Sequence, residues 1–492
     1  MKKGVVAGVA VAALVGIGAV AIPLVQGYAA AHVKAEIERN GTATVERVEV
    51  GILDRSIALE GLKSDRAGPV SIGLWRVSGL GWPLAELLQG RTPLSGFQWG
   101  DPLQADRLEL QDVRIGNGGG GGGIDVGSLV LHGIELARYD SRDTQPDRGL
   151  ALVAQAMAAL SVRRLEQRNS VLTMPGSGDT LGVAAVVVER YERGRIATVV
   201  SGGVEATEKG GRAPLFKVTD IEASDLDFRR ALAALSLDGW MTSGWLGKIR
   251  VARASGSGFG GETLARYGIS LGTVSIESVR ENDEVGRSRA RVDGFVLAPP
   301  VRGMESLRLR MALQAMGLKE LRLAFDCAGT EDRGRNEITI DHCALSGTDL
   351  AEISVAGRIV DADDALWHAI DDGDLAVLHD SKVGLASARL VIADKSLLER
   401  GLKAFATLTF QPAAAVRTNL ALDIRKYQPA GVLITPNMTQ VLDTVARFVE
   451  QGGTLTLDAR PDPPLGLDRL DYLSRPGADL VDALALSATL AR

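Results

Sequence analysis

Several short stretches carry the letters of known chemistry. Gly256-Ser257-Gly258-Phe259-Gly260-Gly261 matches G-x-G-x-x-G. A dinucleotide site on that motif requires a strand before it and a helix long enough to present its N-terminus to the phosphates after it. Ile249–Ala252 supplies a short strand, but only Glu262–Tyr267 is left for a helix before Gly268 opens the next strand, so the stretch is expected to be a turn. Gly118–Gly123 lacks the Gly-Lys-Ser/Thr that completes a phosphate loop and is expected to be a surface loop. Asp361, Asp363, Asp364, Asp371, Asp372 and Asp374 lie near His368 and His379 without the alternating ligands, central Gly and terminal Glu of a calcium loop. Asp364–Asp371 fits a short amphipathic helix with Leu366 and Ile370 inward. No two of the five histidines have zinc-ligand spacing. No catalytic, cofactor-binding or metal-binding residue is therefore assigned, no cofactor is expected, and a non-enzymatic role is expected.

The two cysteines, Cys327 and Cys343, exclude a disulfide-dense scaffold. Leu321–Cys327 and Ile338–Leu345 alternate as strands, joined by a polar, Gly-containing stretch. The hairpin so formed sets the cysteines nearly opposite each other, which permits a cross-strand disulfide in an oxidising compartment.

The elements that must position any site follow a recurring pattern. Apolar residues fall at i, i+2, i+5, i+7, i+10 and i+12. Ile124, Val126, Leu129, Leu131, Ile134 and Leu136 fit it fully, as do Leu103–Ile115 and Phe216–Phe228; Ile269–Val279 and Ile338–Leu350 fit in part. Residues two apart share a face of a strand, and a three-residue step changes the face unless the backbone kinks there. Either both strand faces are buried, or the strand kinks at each step and keeps one apolar face. A helix does not explain doublets two apart. The six residues from Ile124 to Leu136 are the candidate apolar binding surface. Helices are expected at Pro83–Gln89, Arg148–Leu160, Phe228–Leu237, Val301–Met316 and from Pro436 to Glu450, which makes the C-terminal part more helical. The fold class is α+β, predominantly antiparallel β with repeated short strands.

Met1-Lys2-Lys3 precedes Gly4–Val25, an apolar run without charge. At about 1.5 Å rise per residue, such a helix crosses a hydrocarbon layer of about 30 Å. The lysines place the N-terminus in the cytoplasm and the body outside it. Ala29-Ala30-Ala31 leaves open a cleaved signal peptide, although the run exceeds the usual signal core. The expected organisation is a transmembrane anchor at 1–28, a β-rich periplasmic region at 29–300 and an α+β periplasmic region at 301–492. The net charge of −6 argues against nucleic acid as a partner. Trp75, Trp82 and Trp99 cluster near the anchor and suit core packing or an interfacial belt.

The anchor, the stretch VERVEVGILDRSIALEGL (Val45–Leu62) and units such as IDVGSLVLHGIEL (Ile124–Leu136) resemble AsmA-like proteins, and the overall plan is similar to YdgA-type proteins. The resemblance implies a single-pass inner-membrane protein with a β-rich periplasmic body, associated with lipid transport or envelope homeostasis. It carries no catalytic residue over. The expectation is thus a non-enzymatic envelope-maintenance protein that binds lipid or an envelope partner. Its rivals are a structural or assembly factor that binds protein through sheet edges and, less favoured, an envelope hydrolase.

Overall fold

A computed structural model describes residues 25–39, 41–65, 69–81, 100–116, 122–139, 149–238, 248–282, 284–301, 303, 306–372, 383–428, 434–466 and 479–492. The chain is 50% strand and 25% helix, and every strand pairing among the described residues is antiparallel. It divides into two compact units, Met1–Arg250 and Val251–Arg492. The strand that opens at Arg250 pairs onward with a strand that follows it. The Gly4–Val25 run, apart from Val25, lies outside the described residues, as do Trp82, Trp99, Pro83–Gln89, Asp374 and His379. Among the described residues no helix is long and apolar enough to cross a membrane.

The first unit begins with helix α1 (25–38). Its strands are β1 (Ala43–Thr44), β2 (Arg47–Gly51), β3 (Ser56–Ser64), β4 (Val70–Ser78), β5 (Leu103–Gly116), β6 (Gly123–Leu136), β7 (Leu160–Thr173), β8 (Thr180–Glu192), β9 (Arg195–Ser201), β10 (Val204–Thr207), β11 (Phe216–Val218) and β12 (Asp220–Asp227). Consecutive strands pair from β2 through β9. β9 and β10 share the edge of β8, and β12 and β11 pair with them in turn. The result is a long meander. Helices α2 (Gly149–Ala159) and α3 (Arg229–Asp238) accompany it.

The three-residue steps of the sequence pattern have a structural cause. Register stays constant along each long strand pair, yet the pairing is interrupted at two places. These interruptions line up across the sheet. One row runs through Gly61, Gly73, Asp112, Gly127, Asn169, Ala184 and Gly203. The other runs through Asp106, Gly133, Arg163, Arg190, Ala197 and Asp225. Backbone in the left-handed region occurs in every second strand: Gly61, Asp112, Asn169 and Gly203 in the first row, and Gly133, Arg190 and Asp225 in the second. Gly, Asn and Asp reach this region at least cost, and they hold six of these seven positions. The rows are six residues apart on every strand that crosses both, or about 20 Å along the strand. Because neighbouring strands kink together, alternation flips in all of them at once and the apolar residues stay on one face.

The second unit is also a meander. Its strands are β13 (Arg250–Ser257), β14 (Ile269–Ser270), β15 (Thr273–Arg280), β16 (Val285–Leu297), β17 (Leu321–Asp332), β18 (Glu337–Gly347), β19 (Ala351–Val360), β20 (Gly384–Asp394), β21 (Thr454–Ala459), β22 (Leu465–Gly466) and β23 (Ser487–Ala491). Here the irregularities are ordinary bulges, with one-residue register shifts at Val292/Phe295, Ala328/Gly329 and Arg358/Ile359. Its helices are α4 (Glu262–Tyr267), α5 (Leu307–Ala315), α6 (Asp364–Asp372), α7 (Leu397–Thr409), α8 (Ala413–Arg425), α9 (Pro436–Gln451) and α10 (Leu480–Ala483). Thr435 caps α9, its hydroxyl accepting from the Met438 amide at 3.2 Å, and Pro436 occupies the first turn. Helix α5 starts later than Val301. The Ser306 hydroxyl donates to the Pro300 and Gly303 carbonyls, and Arg310 donates to those of Pro300 and Val301, which holds the approach out of helix.

Candidate functional site: the apolar face of the first sheet

The repeat of β6 meets the repeat of β5 residue for residue. Ile124 pairs with Ile115, Val126 with Val113, Leu129 with Leu110, Leu131 with Leu108, Ile134 with Ala105 and Leu136 with Leu103. The rows continue across β7 to β12, because the strands keep register through the kinks. The row Ile57–Val77–Leu108–Leu131–Leu165–Val188 continues to Val199 and Ala223. The outermost row begins at Val70 and passes through Ile115, Ile124, Leu172, Leu181 and Ala206 to Phe216. Gln167, Ser170 and Ser201 are polar interruptions in this face.

Cover over the face is graded along the strands. Near Gly133 it is core: Ala105, Leu131, Ile134, Val162, Val188 and Tyr191 are buried together with Ala29 and Val33 of α1. Leu131 and Ile134 are therefore not available as binding surface, because α1 and the flanking rows close over that end. Val126, Leu129 and Leu136 are half-buried. At the opposite end Ile124 is 41% exposed, Ile115 43% and Phe216 40%. The accessible part of the candidate surface is thus the outer row and its inner neighbours. Trp75 packs half-buried against the core in β4.

The reverse face is charged. Arg164 on β7 bridges to Glu189 on β8 and, at 2.8 Å, to Glu166, and that guanidinium holds the Glu166 carboxyl below its ordinary value. Arg107 meets Glu109 at 3.1 Å. The two faces differ sharply, which is the pattern of a sheet with one wet side. One anchor links sheet and helix: the Tyr191 hydroxyl donates to the Met157 carbonyl of α2 at 2.7 Å. Burial pushes this hydroxyl up to about 12, against a smaller opposing pull from the Gly194 backbone.

The second unit repeats the theme. Ile276, Ala290, Cys327, Cys343, Val355 and Leu390 form one row across β15 to β20, in which Ile276 and Val355 are exposed. Cys327 pairs directly with Cys343, and their sulfurs form a disulfide. The hairpin loop is shorter than the sequence suggests, since the strands run on to Asp332 and from Glu337. A separate apolar cleft of about 700 Å³ lies between α7 and α8, lined by Leu398, Leu402, Phe405, Val416 and Leu420.

The chemistry-like motifs resolve into turns and caps. Gly258 and Gly261 adopt positive φ in the connection between β13 and the six-residue α4. Gly268-Ile269-Ser270-Leu271-Gly272 has the letters of a nucleophile elbow. Ser270 nevertheless follows a helix and ends the two-residue β14, the reverse of the strand–turn–helix order that motif requires. Asp363 caps α6, its carboxylate accepting from the Leu366 amide at 2.9 Å. Leu366 is buried and Ile370 packs beside it. Among the described residues no group of three His, Cys, Asp or Glu is placed to hold a metal ion. Sequence reasoning did not single out Leu172, Leu181, Val183, Val186 or Tyr191 as part of the face. Leu181–Tyr191 carries the same two-and-three spacing, and Leu160–Leu172 does so once Gln167 and Ser170 are allowed as substitutions.

Comparison with known proteins adds one finding. The profile of a family described only as an uncharacterized protein matches residues 344–490, less than a third of the chain. That segment contains β19 to β22, nearly all of β23 and the helices α6 to α10. No curated protein matches the chain.

Proposed function

We propose that the chain is a non-enzymatic, single-pass inner-membrane protein, anchored by Gly4–Val25, whose periplasmic body binds lipid acyl chains on its apolar sheet face in the service of envelope maintenance. The observation that carries this reading is the outer row of the first sheet. A strip seven strands wide, from Val70 to Phe216, is apolar throughout and stays open at Ile115, Ile124 and Phe216. Contiguous exposed apolar surface on one side of a sheet whose other side is charged is expected to be covered by an apolar partner. The disulfide on the second sheet suits an oxidising compartment. The anchor run and the resemblance to AsmA-like proteins favour the same compartment and the same class of ligand.

The test is lipid content. Full-length protein purified in detergent and transferred to amphipol is extracted and assayed by mass spectrometry. Phospholipid is expected in stoichiometric amount, and Ile124→Glu is expected to lower it about tenfold, the effect of losing about 1.4 kcal/mol, without unfolding the protein. Equal lipid content in Ile124→Glu and the parent would refute acyl binding at this face. Protein copurifying in place of lipid would favour an assembly role.

A further inference from the structure

We infer that the α7–α8 hairpin of the second unit inserts its tip into the interfacial layer of an anionic phospholipid bilayer. The inference stands apart from ligand binding on the first sheet and rests on different residues. In α7, Leu402 and Ala406 turn inward and join Val416 of α8 in a small core. Phe405, 54% exposed, borders the cleft between α7 and α8; Leu408 is 63% exposed, and Phe410 at the turn 96%. Phe410 closes α7 in the left-handed region, at φ 54°. A bulky side chain is rare there, and backbone strain of this kind persists where function uses it. The conformation fixes the hairpin turn, with Gln411-Pro412 leading into α8 and residues 411–415 all exposed.

Charge supports a bilayer as the occupant. Between Glu399 and Asp423 there is no acidic residue, in a chain whose net charge is −6. The charges in that stretch are Arg400, Lys403 and Arg417, all basic. Ala404–Val416 carries no charge at all, and Lys403 and Arg417 flank it. Arg400 and Arg417 are half-buried and donate to the Met316 and Glu450 carbonyls, while Lys403 is exposed. An apolar, aromatic tip on a basic, acid-free hairpin matches the interface of an anionic membrane: rings and leucine enter the acyl boundary while the Lys403 ammonium reaches the headgroups. The hairpin is held from behind. Arg425 at the end of α8 bonds Glu450 at 2.6 and 2.9 Å and Asp443 at 3.0 Å, both on α9, so the tip is carried on a fixed base.

The experiment places an environment-sensitive fluorophore on Leu408→Cys in the full chain, whose native cysteines are held in the disulfide. The protein is reconstituted in vesicles of phosphatidylcholine with or without phosphatidylglycerol. Brominated lipid is supplied either in the same vesicle or in added vesicles, so a tip that reaches either membrane is detected. The expected result is a blue shift with bromine quenching in one of the two arms, stronger with the anionic lipid, and about tenfold weaker binding in a Phe410→Asp background. A probe at Glu222→Cys, exposed on the charged face of the first unit, is expected to stay aqueous. Thr407→Cys repeats the measurement should the first variant misfold. An aqueous signal at both hairpin positions in both arms would overturn the inference. So would a blue shift in lipid-free protein that grows with protein concentration, because the occupant would then be a second copy of the chain.

Discussion

Gly133 lies in the left-handed region of β6, between the buried residues Leu131 and Ile134, where the apolar series takes one of its three-residue steps. A Cβ there would meet the Arg163 Cβ at 3.1 Å. Gly133→Val combines that contact with an unfavourable backbone for a branched residue, and is expected to cost about 1–3 kcal/mol in chemical denaturation. Val130→Ala, on the opposite face of the same strand, is expected to change little. Equal effects would mean that the kink is not what keeps the face apolar. Tyr191 gives a second handle at this scale. Tyr191→Phe loses the bond to Met157 and about 1 kcal/mol with it. Folding raises the tyrosine pKa from 10 to about 12. The neutral hydroxyl therefore contributes fully below pH 10, and its contribution fades as pH rises through about 12. Denaturation curves from pH 9 to 12 are expected to show the parent's advantage over Tyr191→Phe shrinking and then reversing, because a rise from 10 to about 12 outweighs a bond of about 1 kcal/mol; a constant gap would contradict the assignment.

The strands themselves were largely legible in the sequence, because doublets two apart are diagnostic of extended backbone. The alternative left open, two buried faces or kinks with one apolar face, is settled by register. Gly133 and Arg163 kink side by side although nothing in their local sequences connects them, so the aligned rows were invisible until strands were paired. Helices Gly149–Ala159, Arg229–Asp238 and Pro436–Gln451 fall close to their sequence signals. Helix α5 was overextended because the cap that delays it, Ser306, reaches carbonyls that only the folded loop presents. Of the candidate site, the apolar series was readable, but which members are open was not, since cover by α1 is a tertiary fact. The β17–β18 hairpin carries its own prediction. Removing the disulfide by Cys327→Ser with Cys343→Ser opens a loop of 16 residues and is expected to cost about 3 kcal/mol in the second unit. Rapid alkylation of thiols in lysed cells is expected to leave both cysteines unmodified until reductant is added. Immediate labelling would place the chain in a reducing compartment and remove the support the disulfide lends to an envelope location.

At the scale of the molecule, two antiparallel meanders each present an apolar face, and among the described residues no group of three His, Cys, Asp or Glu is placed to hold a metal ion. The chain is acidic overall, and its exposed large apolar side chains include Ile115, Ile124 and Phe216 on the first sheet, Ile276 and Val355 on the second, and Phe405, Leu408 and Phe410 on one basic hairpin. That distribution suits a protein whose partners are apolar and membrane-associated. The central claim is that acyl chains lie on the outer row of the first sheet. It is tested most directly by photo-crosslinking in living cells, with a benzophenone amino acid placed at Ile124 or at its neighbour Asp125. The two positions are adjacent in sequence and project to opposite faces. Phospholipid adducts from position 124 and none from 125 are the predicted result. Adducts from both positions alike, or from neither, would contradict it.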